Sequence, residues 1–160
     1  MTLSVIIVLY VSIGFLSAAG SVCISKKLFS ATAEQIFFAL FLVAIAGFYL
    51  AFTAYFSREE AWRLEIAGVI AFAVLGLVGI QVPVALIIGY LLHGAWDVLH
   101  EIHAHGGGNI LGAQLTELPL GYAAFCATYD WCMAAYFYRR RGQWSAAWLT
   151  LRKDLPDDAQ

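Results

Sequence analysis

Three ionisable side chains, His93, Asp97 and His100, recur at helical spacing within an otherwise apolar stretch, Tyr90-Leu-Leu-His93-Gly-Ala-Trp96-Asp97-Val-Leu-His100-Glu101-Ile-His103-Ala-His105. At about 100° per residue on a helix, Asp97 lies about 40° round from His93, and His100 about 20° the other way. The three therefore share one stripe. Glu101 borders that stripe, whereas His103 and His105 point elsewhere or fall in the loop that follows. Imidazole and carboxylate together suit zinc, iron or manganese, and two histidines with one carboxylate form a recognised iron-binding set. His93 and His100 have α-carbons about 10.5 Å apart along the axis, a long reach for one ion. His93 with Asp97, or Asp97 with His100, are easier pairs, completed by Asp130 or Glu101. The expected ligands are His93, Asp97 and His100, around zinc or iron, with Asp130 and Glu101 as the catalytic acid–base groups.

Depth adds to direction. If a membrane helix starts at Pro83 and rises 1.5 Å per residue, His93 is about 15 Å in, near the middle of a ~30 Å hydrocarbon layer. Asp97 is halfway from there to the outer surface, and His100 is close to that surface. A carboxylate at such depth costs ~2.5–3.5 kcal/mol on insertion scales, so it must face other helices or a wet cavity. Asp130 lies about 12 residues into the last apolar run, again near the middle, with Tyr122 and Cys126 on its face. The two runs are consecutive and so expected to be neighbours, which lets Asp130 and His93 meet, with Thr128 and Tyr129 offering hydrogen bonds. Three readings of this centre stay open: a metal site, an interhelical network that only fixes packing, and a proton or ion relay.

These residues need helices that lie in hydrocarbon, and the rest of the chain supplies them. Of the 160 residues 62% are hydrophobic and 12% charged, with a mean hydropathy of +0.78. Soluble domains have about 45–50% apolar and about 25% charged residues, so the fold class is all-α, a polytopic membrane helix bundle. Thr2 to Ser25 and Ile36 to Ser57 carry no charge beyond the flanks Lys26, Lys27, Arg58, Glu59 and Glu60. From Trp62 to Ile102 one helix would be about 60 Å long, twice the hydrocarbon thickness. Gly79-Ile80-Gln81-Val82-Pro83 supplies a break, because proline removes a backbone donor and disfavours helix before it. Leu118 to Tyr138 forms the fifth transmembrane helix, ended by Arg139-Arg140-Arg141. Trp144, Ala147, Trp148, Leu151 and Leu155 then recur at helical spacing, as in a short interfacial amphipathic helix. The division is thus a transmembrane domain, 1–141, and a cytoplasmic interfacial helix with an acidic tail, 142–160.

With five spans and the amino terminus outside, Lys26, Lys27, Arg139, Arg140, Arg141, Arg152 and Lys153 are cytoplasmic, against Arg58 and Arg63 outside. Four spans with the amino terminus inside divide the charges equally well, and span length favours five. The chain is therefore expected in the cytoplasmic membrane. Ser17-Ala18-Ala19 resembles a signal cleavage site, but the cations follow the apolar run instead of preceding it, as in an uncleaved anchor. A net charge of −2 leaves no basic surface for nucleic acid. Cys23, Cys126 and Cys132 form no CxxC pair and read as packing residues. Gly14, Ser17, Ala18 and Ser21 form a small-residue face suited to close internal packing. Glu34 and Glu65 read as ordinary carboxylates at helix starts, and His103 to Asn109 as a loop.

The stretch His93-Gly-Ala-Trp96-Asp97-Val-Leu-His100-Glu101 is similar to the His-x-x-Trp-Asp-x-x-His-His/Glu helix of small uncharacterised bacterial integral membrane proteins. That resemblance covers about ten residues and implies no particular activity. From the residues themselves, a metal centre reached through hydrocarbon points to hydrolysis or oxidation of a lipid-like molecule. A proton-coupled small-solute transporter is the alternative, although five spans without an internal repeat are few for alternating access unless the protein is a homo-oligomer. A third possibility is an accessory subunit of a larger membrane complex, with one histidine holding haem or a chlorin.

Overall fold

Serine at position 30 and proline at position 83 place the starts of two helices, and the long apolar runs between such signals fold as helices throughout. The computed structural model describes residues 3–56, 59–106 and 115–153. Five helices follow in order: α1 (Leu3–Leu28), α2 (Ala31–Tyr55), α3 (Trp62–Gly79), α4 (Pro83–Gly106) and α5 (Tyr122–Lys153), with a short 3₁₀ turn at Glu59–Ala61 before α3. Ser30 caps α2 by accepting the Ala33 N–H at 3.3 Å. Pro83 opens α4, where its missing N–H has no helical partner to lose, and the expected break between α3 and α4 falls there.

Four of the helices, α1 to α4, are long and apolar enough to cross a membrane. The fifth carries Asp130 and the arginine triplet and is packed among them: α5 lies chiefly against α4 and α1, and α2 lies chiefly against α3. α2 also touches α4 and α5, which closes the bundle. Close approach rests on small residues. A Cβ on Gly14 would stand 2.5 Å from the Phe125 carbonyl oxygen, and one on Gly76 2.7 Å from that of Ala39. With Ala18 buried on the same face and Ser21 accepting a hydrogen bond from Tyr129, the small-residue face of α1 is internal packing against α5.

The bundle reverses the distribution found in water. Val8, Leu16, Ile70 and Leu77 face outward, while Glu34, Glu65, His93, Asp97, His100 and Asp130 are buried. Aqueous proteins almost never bury so many charged groups without dense pairing, and a layer of outward-facing aliphatic residues suits hydrocarbon.

Two expectations about boundaries change. α4 continues to Gly106, so His103 belongs to a helix and not to a loop; residues 107–109 of that expected loop lie outside the described residues, as does the tail 154–160. α5 runs unbroken through Arg139-Arg140-Arg141, so the amphipathic stretch beyond them is its continuation. The reason is packing. Tyr136, Arg140, Trp144, Trp148 and Arg152 fall at successive i+4 positions and donate to Glu34, Gln35 and Gln81 at one end of the bundle. A helix held along its whole length by such bonds has no cause to stop at a charged triplet.

Candidate metal centre

The turn at residues 80–82 makes α3 and α4 antiparallel neighbours, and α5 packs on the other flank of α4. The stripe on α4 that carries His93, Asp97 and His100 is therefore enclosed by α2, α3 and α5, and all three side chains are buried, as their spacing predicts. Asp130 reaches them from α5. Its Oδ2 lies 2.6 Å from His93 Nδ1, and Asp97 Oδ2 lies 3.4 Å from the same nitrogen. The hydroxyl of Tyr49, on α2, donates to Asp97 Oδ1. Phe72 sets its ring edge against His93 at 4.9 Å, closing the centre toward α3.

His93, Asp97 and Asp130 form the group, among the described residues, in which one ligand atom from each lies within 4.8 Å of the others. Each also keeps one buried atom with no hydrogen-bond partner among the described residues: His93 Nε2, Asp97 Oδ2 and Asp130 Oδ1. Ligands on a tetrahedral ion with bonds of ~2.0–2.1 Å stand about 3.3 Å apart. The His93–Asp97 contact already has that spacing. The 2.6 Å contact is that of a shared proton, and an ion replacing the proton would open it by about 0.7 Å. The donor set of one imidazole and two carboxylates fits zinc or iron.

His100 does not join this group in the structure. Its Nδ1 is 2.9 Å from the Trp96 carbonyl oxygen and its Nε2 2.9 Å from Glu65 Oε1. The carbonyl can only accept, so Nδ1 donates; Nε2 then shares a second proton with the carboxylate. With both nitrogens engaged, His100 has no lone pair to offer an ion. The Glu65 oxygen also accepts the Thr116 N–H at 2.9 Å. Glu101 lies beyond the group, partly buried and engaged in interactions of its own. Tyr129 and Thr128 do not serve the centre either: Tyr129 donates to Ser21, and Thr128 to the Ala124 carbonyl.

Two participants escaped the reading of the sequence. Tyr49 is one tyrosine in an apolar run and carries no signal. Glu65 does carry one, because it and His100 are nearly equidistant in sequence from the α3–α4 turn, which brings such positions together in a helical hairpin. A cavity of about 310 Å³ lies beside the centre, between α1, α2 and α5. Phe41, Ile45, Phe48 and Phe125 give it apolar walls, and Tyr122, Cys126 and Asp130 line it together, as their shared helical face predicts.

No curated protein and no solved structure matches the chain. A family of unknown function, DUF6010, matches residues 6–143, a span that includes His93, Asp97, His100 and Asp130, and the chain belongs to that family.

Proposed function

We propose that this is a protein of the cytoplasmic membrane, amino terminus outside and carboxyl terminus inside, that holds one transition-metal ion, zinc or iron, at His93, Asp97 and Asp130 and acts on a lipid-like molecule. The observation that carries the reading is the buried group itself, one imidazole and two carboxylates with one ligand atom from each within 4.8 Å of the others. Two carboxylates buried against a single imidazole have no second cation at ion-pair distance among the described residues, a deficit that a bound metal ion would offset. Asp130 both touches His93 and lines the apolar cavity, which supports a substrate that arrives through hydrocarbon.

In this reading His93 and Asp97 would hold the ion, which would supply Lewis-acid activation, and Asp130 would either complete the ligand set or act as the general base that takes a proton from the attacking water. For a carboxylic ester, the water oxygen bonds to the carbonyl carbon, the alkoxide leaves, and Asp130 returns the proton to it. Acid and alcohol are the only products. Tyr49 holds Asp97 in orientation, the part such outer partners play around metal ligands.

The test is metal stoichiometry on protein purified gently without chelator, for wild type and Asp97→Asn. The expected results are one ion per chain, release of about one proton on binding, and at least a 10–100-fold loss of affinity in the variant. Wild type that carries no transition metal ends this reading.

A second reading, a proton relay serving transport, draws on a different observation. Buried side chains run in file from Glu65 to His100, whose ring stacks on Tyr49 at 4.7 Å, then through Asp97 and His93 to Asp130. Metal-free protein that moves protons across liposome membranes, and loses that flux in Asp97→Asn, would decide for the relay.

A further inference from the structure

A second groove, of about 560 Å³, lies between α1 and α5 at the end of the bundle where α2 begins, away from the metal centre. One part of its wall is apolar: Phe15, Ala18, Val22 and Ala135. The other carries cations, Lys26 and Arg139, with Arg140 and Gln143 beside them, and no carboxylate among the described residues lines it. Arg140 commits its Nε to Glu34 at 2.9 Å. Lys26 stands 5.2 Å over the Tyr136 ring, and neither it nor Arg139 has a carboxylate at ion-pair distance among the described residues.

We propose that this groove seats one anionic phospholipid, its phosphate at Lys26 and Arg139 and an acyl chain along Phe15, Ala18, Val22 and Ala135. Three features argue for that occupant. The charge at the mouth is of one sign and complements a phosphate. The volume lies within the ~300–1,000 Å³ of small-molecule sites. Lys26 to Phe15 spans roughly 16 Å along α1, about half of the ~30 Å hydrocarbon layer, which is the depth of a single leaflet. A phospholipid has this distribution, one anionic end and one leaflet's length of hydrocarbon. The proposal rests on placement of the bundle in a membrane and is independent of what His93, Asp97 and Asp130 hold.

The experiment is native mass spectrometry of full-length protein released from lipid nanodiscs, with phosphatidylglycerol compared against phosphatidylcholine. One phosphatidylglycerol per chain is the expected result, with phosphatidylcholine lost. A Lys or Arg at an anionic surface contributes about fivefold to binding, so the double variant Lys26→Gln/Arg139→Gln loses roughly 25-fold. Both side chains are exposed, and the variant is expected to keep its fold. Ala135→Trp fills the apolar part while leaving the cations in place, and is expected to lose the lipid as well. Equal retention of both lipids overturns the proposal, as does a double variant that binds unchanged. Ala135→Trp that keeps its lipid reduces the groove to charge attraction alone and overturns it too. So does a lipid-free dimer joined through this face, or inorganic phosphate that displaces the lipid at equal concentration. Protein washed off membranes by alkaline carbonate refutes the membrane placement itself, a failure separate from loss of the lipid.

Discussion

Glu34 and Asp130 are both buried carboxylates on helices of one bundle, yet their surroundings are built on opposite terms. Glu34 accepts four hydrogen bonds: Ser25 at 2.8 Å and Tyr136 at 2.6 Å on Oε1, and Arg140 at 2.9 Å and Trp144 at 3.0 Å on Oε2. Every oxygen has two donors, and these come from α1 and α5 to a carboxylate on α2. Asp130 touches His93 through one oxygen and leaves the other without a hydrogen bond among the described residues, and His93 Nε2 and Asp97 Oδ2 likewise have none. A satisfied network makes a unique, rigid packing, whereas an incomplete one is costly to keep. The first therefore reads as a lock for the fold, and the second as a polar group left incomplete among the described residues, in keeping with the proposed metal site.

The largest expected effect breaks the lock. Glu34→Ala removes the carboxylate to which Tyr136, Trp144 and Ser25 donate, and leaves Arg140 partly buried without its counter-charge. Breaking one partner of a buried pair costs about 3–5 kcal/mol, so the variant is expected to lose that much stability in detergent unfolding by circular dichroism. Metal content per folded chain stays at the wild-type value. A variant as stable as wild type would dissolve the contrast, because Glu34 would then be one more idle carboxylate.

A smaller effect sharpens the other side. Tyr49→Phe removes the hydroxyl that donates to Asp97 and changes little else in shape. Loss of an outer partner of a metal ligand typically costs 10–100-fold in affinity, against about 0.6–2 kcal/mol of stability for an interhelical polar contact. Titration of zinc into wild type and variant, with the melting temperature recorded beside it, separates the two. Unchanged affinity with a lowered melting temperature would place Tyr49 on the structural side of the comparison.

The helices and the α3–α4 break were legible in the sequence because each depends on local signals: uncharged runs of membrane length, and Gly79 to Pro83 at a place where one helix would be too long. The stripe of His93, Asp97 and His100 was equally legible from 100° geometry. The meeting of His93 with Asp130 followed from matched depth on consecutive helices. What was not legible depends on which faces turn toward each other. His100 lies on the same stripe as His93, yet it turns to α3 and Glu65 where His93 turns to α5, and periodicity along α4 cannot tell these apart. Glu34 resembled any carboxylate at a helix start until α5 was found to continue past Arg141 and close over it. Periodicity did register Trp144 and Trp148, but as an apolar face for lipid; their indole N–H groups are what the bundle uses.

That use of the indoles gives the smallest prediction. Trp148 Nε1 donates to Gln35 Oε1 at 3.1 Å, and the buried Gln35 passes the connection on by donating to the Gly79 carbonyl at 2.8 Å. Trp131 Nε1 donates to the Leu91 carbonyl at 3.3 Å on an exposed face. The two bonds are alike in chemistry and differ in burial. Trp148→Phe leaves the Gln35 oxygen unpaired in the interior and is expected to cost about 1–3 kcal/mol, the penalty of an orphaned buried acceptor. Trp131→Phe is expected to stay within about 0.5 kcal/mol, as exposed substitutions do. Thermal unfolding of both variants in one detergent makes the comparison directly. If Trp148→Phe costs no more than Trp131→Phe, the last turns of α5 are not part of the lock, and the network at Glu34 ends at Trp144. If it costs more, the Glu34 network extends through Gln35 to the α3–α4 turn, and one hydrogen-bonded unit ties α2, α3 and α5 at the end of the bundle opposite Glu65.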